Sequence, residues 1–85
     1  SSLVRSDGVV EVSHTTPHAT RTPSPGWAEQ DPLEWWQGVC QNTQSLIARR
    51  PDLRDRVAAI GVSGQMMGCV ALDKEGNVLR PSMIH

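Results

Sequence analysis

No apolar run in this sequence approaches the length needed to cross a bilayer, and no basic-then-apolar stretch of signal type opens it. An excess of charge of one sign is also missing. Eight Lys and Arg against nine Asp and Glu give a formal net charge of −1, which leaves no electrostatic footprint for nucleic acid or an anionic membrane. Cysteine is scarce: Cys40 and Cys69 are the only two, and no spacing pairs them. The plain expectation is a cytoplasmic protein with reduced, buried thiols. Phosphate signatures are absent as well, with no Walker loop and no Gly-x-Gly-x-x-Gly. Ser63 is not a nucleophile elbow, because Gln65 stands where the second glycine belongs. Most of the nine carboxylates sit in turns or helix caps: Asp7, Asp73 and Glu75 serve hairpins, Glu29 and Asp31 precede a helix, and Asp52 and Asp55 flank a polar link. No two of them form a general acid/base pair by sequence logic.

What remains is a globular composition, 38% hydrophobic and 20% charged, in a chain of 85 residues. A domain of this size buries only about 60–65% of its unfolded surface. The chain lacks an initiator Met, starts within an apparent strand and stops at Ile84-His85 within another, so a piece of something larger is expected. Ser2–Arg5 and Val9–Val12 flank an Asp7-Gly8 turn and read as a β-hairpin. A second hairpin is expected at Val70–Leu72 and Val78-Leu79, around Asp73–Asn77. Between hairpin and helix, the Thr-, Pro- and Ser-rich stretch Thr15–Gly26 should run over the surface. His14 and His18 lie four apart there. With Pro17 between them and no third ligand near, solvated histidines are the plainer reading than a zinc site.

The clear helix begins with Asp31 as N-cap, Pro32 at the first position and Glu34 completing a capping-box pattern. Residues 36, 39/40, 43 and 46/47 make its expected buried stripe. Arg49 and Arg50 suit its negative end, and Pro51 stops it. Tyrosine and phenylalanine are absent, so the aromatic rings are Trp27, Trp35 and Trp36, gathered at the helix start. They read as packing against the sheet, with a sugar-stacking platform as the less favoured alternative.

After the helix, Val57–Val62 reads as a buried strand, followed by Ser63-Gly64-Gln65-Met66-Met67-Gly68. Ligands in α/β sheets sit outside the carboxyl ends of strands. Gly64 and Gly68 permit positive φ or close approach, and Gln65 carries donors and an acceptor suited to hydroxyl groups. A bend with Met66 and Met67 as core filler is the plainer reading of the six residues alone; a pocket loop stays open. The element order gives an α/β fold, a mixed sheet with one crossover helix.

Three blocks carry a resemblance. Pro25–Pro32 followed by Trp35-Trp36 resembles the segment before the first helix of FGGY carbohydrate kinases. Val57–Met66 resembles the strand and substrate loop of that family, most closely its xylulokinase branch. Leu72-Asp73 with Gly76, then Leu79-Arg80-Pro81 leading to Ile84, resembles the hairpin and strand that follow. The resemblance covers essentially the whole chain, in the right order.

It implies an ATP-dependent kinase of two ribonuclease-H-like, actin-like domains, with residues 1–85 as part of the N-terminal sugar-binding domain. The first strand with its phosphate loop, the catalytic aspartate and the C-terminal domain would lie outside these residues. No catalytic and no metal residue is therefore expected here. Carried over by position, Gln65, Met66, Met67 and His85 are the expected substrate contacts. Xylulokinases have Gln-Met-His-Gly at the loop and glycerol kinases place Arg-Glu where Met66 and Met67 stand; Met67 departs from both. His85 departs from the tryptophan usual at its position, so the identity of the sugar or polyol stays open. ATP and Mg2+ are implied as cofactors of the full-length parent, with none expected on these residues alone. The implied partner is a small-molecule sugar or polyol, with neither nucleic acid nor membrane, and a homodimer of the parent stays open. A non-catalytic sugar-binding or regulatory protein of the same fold is the alternative, and an isolated structural piece a third.

Overall fold

Asp7 and Gly8 close the first hairpin as their chemistry dictates. Gly8 takes φ 89°, a left-handed conformation that a Cβ would strain, while Asp7 Oδ1 accepts the Val9 amide at 3.1 Å. In the computed structural model, which describes residues 1–84, this turn joins β1 (Ser2–Val4) to β2 (Val10–Ser13) in an antiparallel pair. The register slips between Leu3 and Val4. A second antiparallel pair joins β3 (Glu29–Gln30) to β4 (Ser82–Met83), with Gln30 opposite Ser82.

The helix α1 (Pro32–Arg49) starts and stops where its caps place it. Asp31 Oδ1 accepts the Leu33 amide at 3.0 Å, the N-cap bond. The capping box does not close. The Glu34 carboxylate instead accepts from the Ala19 amide at 3.2 Å and from Arg21 Nη2 at 3.4 Å, which ties the proline-rich segment to the helix start. Pro51 ends α1 and opens a short 3-10 turn over Pro51–Arg56, where the sequence reading has only a polar link.

The covered face of α1 is displaced by about one residue from the expected stripe. It runs through Trp35, Gly38, Asn42 and the buried Leu46, whereas Trp36 and Val39 are exposed. The cause is local. A Cβ at Gly38 would lie 3.9 Å from Thr16 Cβ, and Thr16 Oγ1 donates to Asn42 Oδ1 at 2.7 Å, so a glycine and an amide occupy contact positions that an apolar count passes over.

Two compact units divide the described residues: 1–17 with 38–62, and 18–37 with 63–84. In the first, the hairpin is fastened to the end of α1 by polar contacts. Arg49 Nη1 donates to the Ser13 carbonyl at 2.8 Å, and Arg50 bridges Glu11 at 2.9 Å and Asp52 at 3.1 Å. These acids keep the Arg50 guanidinium protonated more firmly than usual, with Asp52 first and Glu11 second in effect. In the second unit, β3 and β4 are extended by the bridge between Arg21 and Glu29 and by Ile84 N–H donating to the Ala28 carbonyl at 2.9 Å.

Three expectations are corrected here. The run Val57–Val62 forms no strand and has no ladder partner among the described residues, and Ile60 and Val62 lie open to solvent. An apolar run codes for burial, yet burial also needs a neighbouring strand, and none of the described segments supplies one. Instead of one mixed sheet with a crossover, the described residues form two separate two-stranded antiparallel pairs. The second hairpin forms with one bridge, Leu72 to Val78, around a well-bonded Asp73–Asn77 turn. The cysteines are free as expected, but Cys69 is exposed and Cys40 only partly covered. Among the described residues no helix is long and apolar enough to cross a membrane.

Candidate functional site

The second unit is organised by a hydrogen-bonded chain of side chains. Gln30, almost fully buried, donates from Nε2 to Thr20 Oγ1 at 2.9 Å and accepts Trp35 Nε1–H on Oε1 at 2.9 Å. Both ends of that amide are satisfied, so its burial is not penalised and the Trp35 ring is held in one orientation. His18 approaches the same indole edge-on, with ring centroids 6.4 Å apart. His18 is thus placed by a ring contact, and no group of three His, Cys, Asp or Glu side chains that could hold a metal occurs among the described residues.

Of the three tryptophans, only Trp35 packs in the expected way. Trp27 and Trp36 are 58% and 66% exposed. Trp27 lines a shallow cavity of about 310 Å³ with Gly26, Ala28, Glu29, Arg80 and Met83. Arg80 Nη2 pairs with Glu29 Oε1 at 2.6 Å on its wall. Of the residues expected to contact substrate, Gln65, Met66 and Met67 do not line this cavity.

The candidate substrate loop, residues 63–68, lies open to solvent throughout. Met66 and Met67 are exposed, so neither fills a core among the described residues. Among the described residues no hydrogen bond engages the Gln65 side chain, so its amide is available to a ligand hydroxyl. Gly64 and Gly68 do not use positive φ. Gly68 instead provides close approach. A Cβ there would lie 3.4 Å from Ser82 Oγ, 3.7 Å from Ile84 Cγ2 and 3.9 Å from Trp35 Cη2. The next residue is tied to β4 through Cys69 N–H donating to the Met83 carbonyl at 3.4 Å.

The loop's downstream end therefore rests on β4 and on the tryptophan that Gln30 orients. Gln65, Met66 and Met67 come together on this loop, while His85 lies outside the described residues. Sequence reasoning missed two residues of the support, Gln30 and Ser82. Gln30 sits directly before the N-cap with no periodicity to mark it. Ser82 interrupts the expected strand with a polar side chain that is nonetheless fully buried, and nothing in the sequence signals this.

The sequence model of the N-terminal domain of the FGGY family of carbohydrate kinases matches residues 2–85. A xylulose kinase of Klebsiella pneumoniae is 38% identical over 82 residues, 96% of this chain and 17% of that protein. A xylulose kinase of Escherichia coli strain K12 is 37% identical over 82 residues, 96% of this chain and 16% of that protein. Among solved structures, one described as a xyloylose kinase from Brucella ovis superposes with a TM-score of 0.89 at 33% identity, over 95% of this chain and 17% of that one. This chain thus spans only a small part of the length of the relatives it matches, but within that part the blocks around the helix start, the loop and β4 all fall inside the matched residues. The chain belongs to the FGGY family of carbohydrate kinases, within its N-terminal domain.

Proposed function

We propose that the full-length protein carrying this segment is an ATP-dependent carbohydrate kinase of xylulokinase type. In this reading its domains have the ribonuclease-H-like fold, and it phosphorylates a hydroxyl of a sugar or polyol. The loop of residues 63–68 forms part of the sugar pocket, with Gln65 hydrogen-bonding a hydroxyl and Met66 and Met67 lining it. The family match over residues 2–85, loop included, carries this reading. The solvent-facing amide of Gln65 and thioethers of Met66 and Met67, on a loop anchored only at Gly68-Cys69 among the described contacts, support it.

The residues present do not fit ATP or Mg2+. The sequence holds no phosphate loop, and no metal-ligating cluster forms among the described residues. In this reading the nucleotide and its metal are held by the rest of the full-length protein, and this segment contributes binding and orientation of the acceptor. Positioning the acceptor is a large share of catalysis in phosphoryl transfer, where the protein does little covalent chemistry.

The test is sugar-dependent ATP turnover by the purified full-length protein across ketoses, aldoses and polyols, with Gln65→Ala alongside. Turnover with at least one sugar, and a raised KM in Gln65→Ala, is the expected result. Sugar binding without turnover would instead identify a non-catalytic binding protein of the same fold.

A further inference from the structure

Ser82 is fully buried, and its Oγ is the one buried side-chain polar atom among the described residues that has no hydrogen-bond partner. A buried hydroxyl left unpaired is costly, and native proteins keep few of them. Packing alone does not ask for it, since an alanine would fill the same site without the penalty.

The loop end at Gly68 is its neighbour. The space beside Gly68 is bounded by Ser82 Oγ, Ile84 Cγ2 and Trp35 Cη2. Ser82 Oγ is the nearest of the three, 3.4 Å from where a Gly68 Cβ would stand, so the main chain of the loop end lies beside the unpaired hydroxyl. The tie just beyond Gly68 is slack: Cys69 N–H to the Met83 carbonyl measures 3.4 Å, beyond the usual range for such a bond. A small movement of the loop end toward β4 would tighten that bond and bring the Gly68 peptide onto the Ser82 hydroxyl. The other wall does not yield, because Gln30 fixes the Trp35 ring.

We infer that Ser82 is the positioning residue of the 63–68 loop, a latch whose hydroxyl takes up the Gly68 main chain when the loop closes on its sugar. This rests on the reading of that loop as a sugar contact. The latch deepens it by naming what stabilises the closed loop: a ligand that draws the loop inward satisfies a hydroxyl left unpaired without it. Sugar binding and loop ordering then become coupled.

The experiment uses the full-length protein, with xylulose and the best substrate of the panel as probes, and the variants Ser82→Ala, Gly68→Ala, their double substitution and Gln65→Ala. Ser82→Ala should raise the sugar KM by roughly five- to tenfold, about the size of one hydrogen bond, and change kcat by less than about twofold. It should also remove the sugar-induced hydrogen-exchange protection at Gly68 and Cys69. Gly68→Ala places a methyl between hydroxyl and loop and should reproduce the KM effect. The double variant should be no worse than the worse single one, because both break one interaction. Wild-type KM and protection in Ser82→Ala, or additive single effects, overturns the latch. Where Gln65→Ala weakens sugar binding and Ser82→Ala does not, the latch alone falls. Where Gln65→Ala has no effect and Ser82→Ala does, the latch stands and the role of Gln65 falls.

Discussion

The indole N–H of Trp35 donates to Gln30 Oε1 at 2.9 Å, which makes a half-buried aromatic on the helix and a buried amide on β3 a single fixed unit. Removing the donor alone tests it. Trp35→Phe keeps most of the ring but leaves Gln30 Oε1 unpaired in the interior, and the expected loss is about 1–3 kcal/mol. Urea unfolding of the full-length protein should show a lower midpoint. Sugar preference should change little, since the ring supports the loop from behind. Unchanged stability with altered preference would mean that Trp35 meets the sugar directly.

The helix start gives a second expectation. Asp31 Oδ1 caps the Leu33 amide at 3.0 Å, while Glu34 has turned away toward Ala19 and Arg21. Asp31→Ala should therefore cost about 0.5–2 kcal/mol, the range of a lost N-cap. Glu34→Gln keeps an acceptor for the Ala19 amide and loses only a solvent-exposed ion pair with Arg21, so its cost should be about 0–1 kcal/mol. A Glu34→Gln penalty equal to that of Asp31→Ala in the same denaturation series would restore the capping box.

These local signals were legible because they rest on short-range chemistry. Asp7-Gly8, Asp31-Pro32 and Pro51 act on their immediate neighbours, so the first hairpin and both ends of α1 fall where the sequence places them. The buried stripe of α1 slipped because Gly38 and Asn42 make contacts through smallness and hydrogen bonding, which hydrophobicity does not measure. Val57–Val62 shows the converse: the run is apolar, but strand formation also needs a pairing partner, and none of the described segments supplies one. At the candidate site, the loop stands out in the sequence by its glycines and amide. Its support was not, because Ser82 and Gln30 matter through what surrounds them rather than through any spacing.

The Asp73 turn carries a pH dependence. Its carboxylate accepts the Asn77 amide at 2.8 Å, Asn77 Nδ2 at 3.1 Å and the Glu75 amide at 3.0 Å. These bonds, that of the Asn77 amide foremost, hold the Asp73 carboxyl below its ordinary value. A depressed folded value means that the carboxylate's contribution is complete above the unfolded value of about 3.9 and is lost as pH falls through the lower folded one. Followed by NMR, the Asn77 amide shift should titrate with a midpoint below about 3.9, and Asp73→Asn should abolish the step. A midpoint at or above the ordinary carboxylate value would remove these bonds as the cause.

The last expectation concerns Met67, which stands 72% exposed on the loop. The xylulokinase pattern has a histidine there, whose ring nitrogen can donate to or accept from a sugar hydroxyl. A thioether offers a weak acceptor and an adaptable apolar surface. A site built to hydrogen-bond a hydroxyl strongly rejects ligands that lack it, whereas an apolar wall discriminates by only about 1–3 kcal/mol. The full-length protein should therefore prefer a substrate other than xylulose, less hydroxylated or differently configured where it faces Met67. Met67→His should shift relative kcat/KM toward xylulose by roughly tenfold or more, the worth of one well-placed hydrogen bond. Stability should be unaffected, because the side chain packs against little. The measurement is the sugar panel run with wild type and Met67→His in parallel, scored as ratios so that changes in active fraction cancel. A wild type that already prefers xylulose, with a ranking that the substitution leaves untouched, would show that another residue selects the sugar.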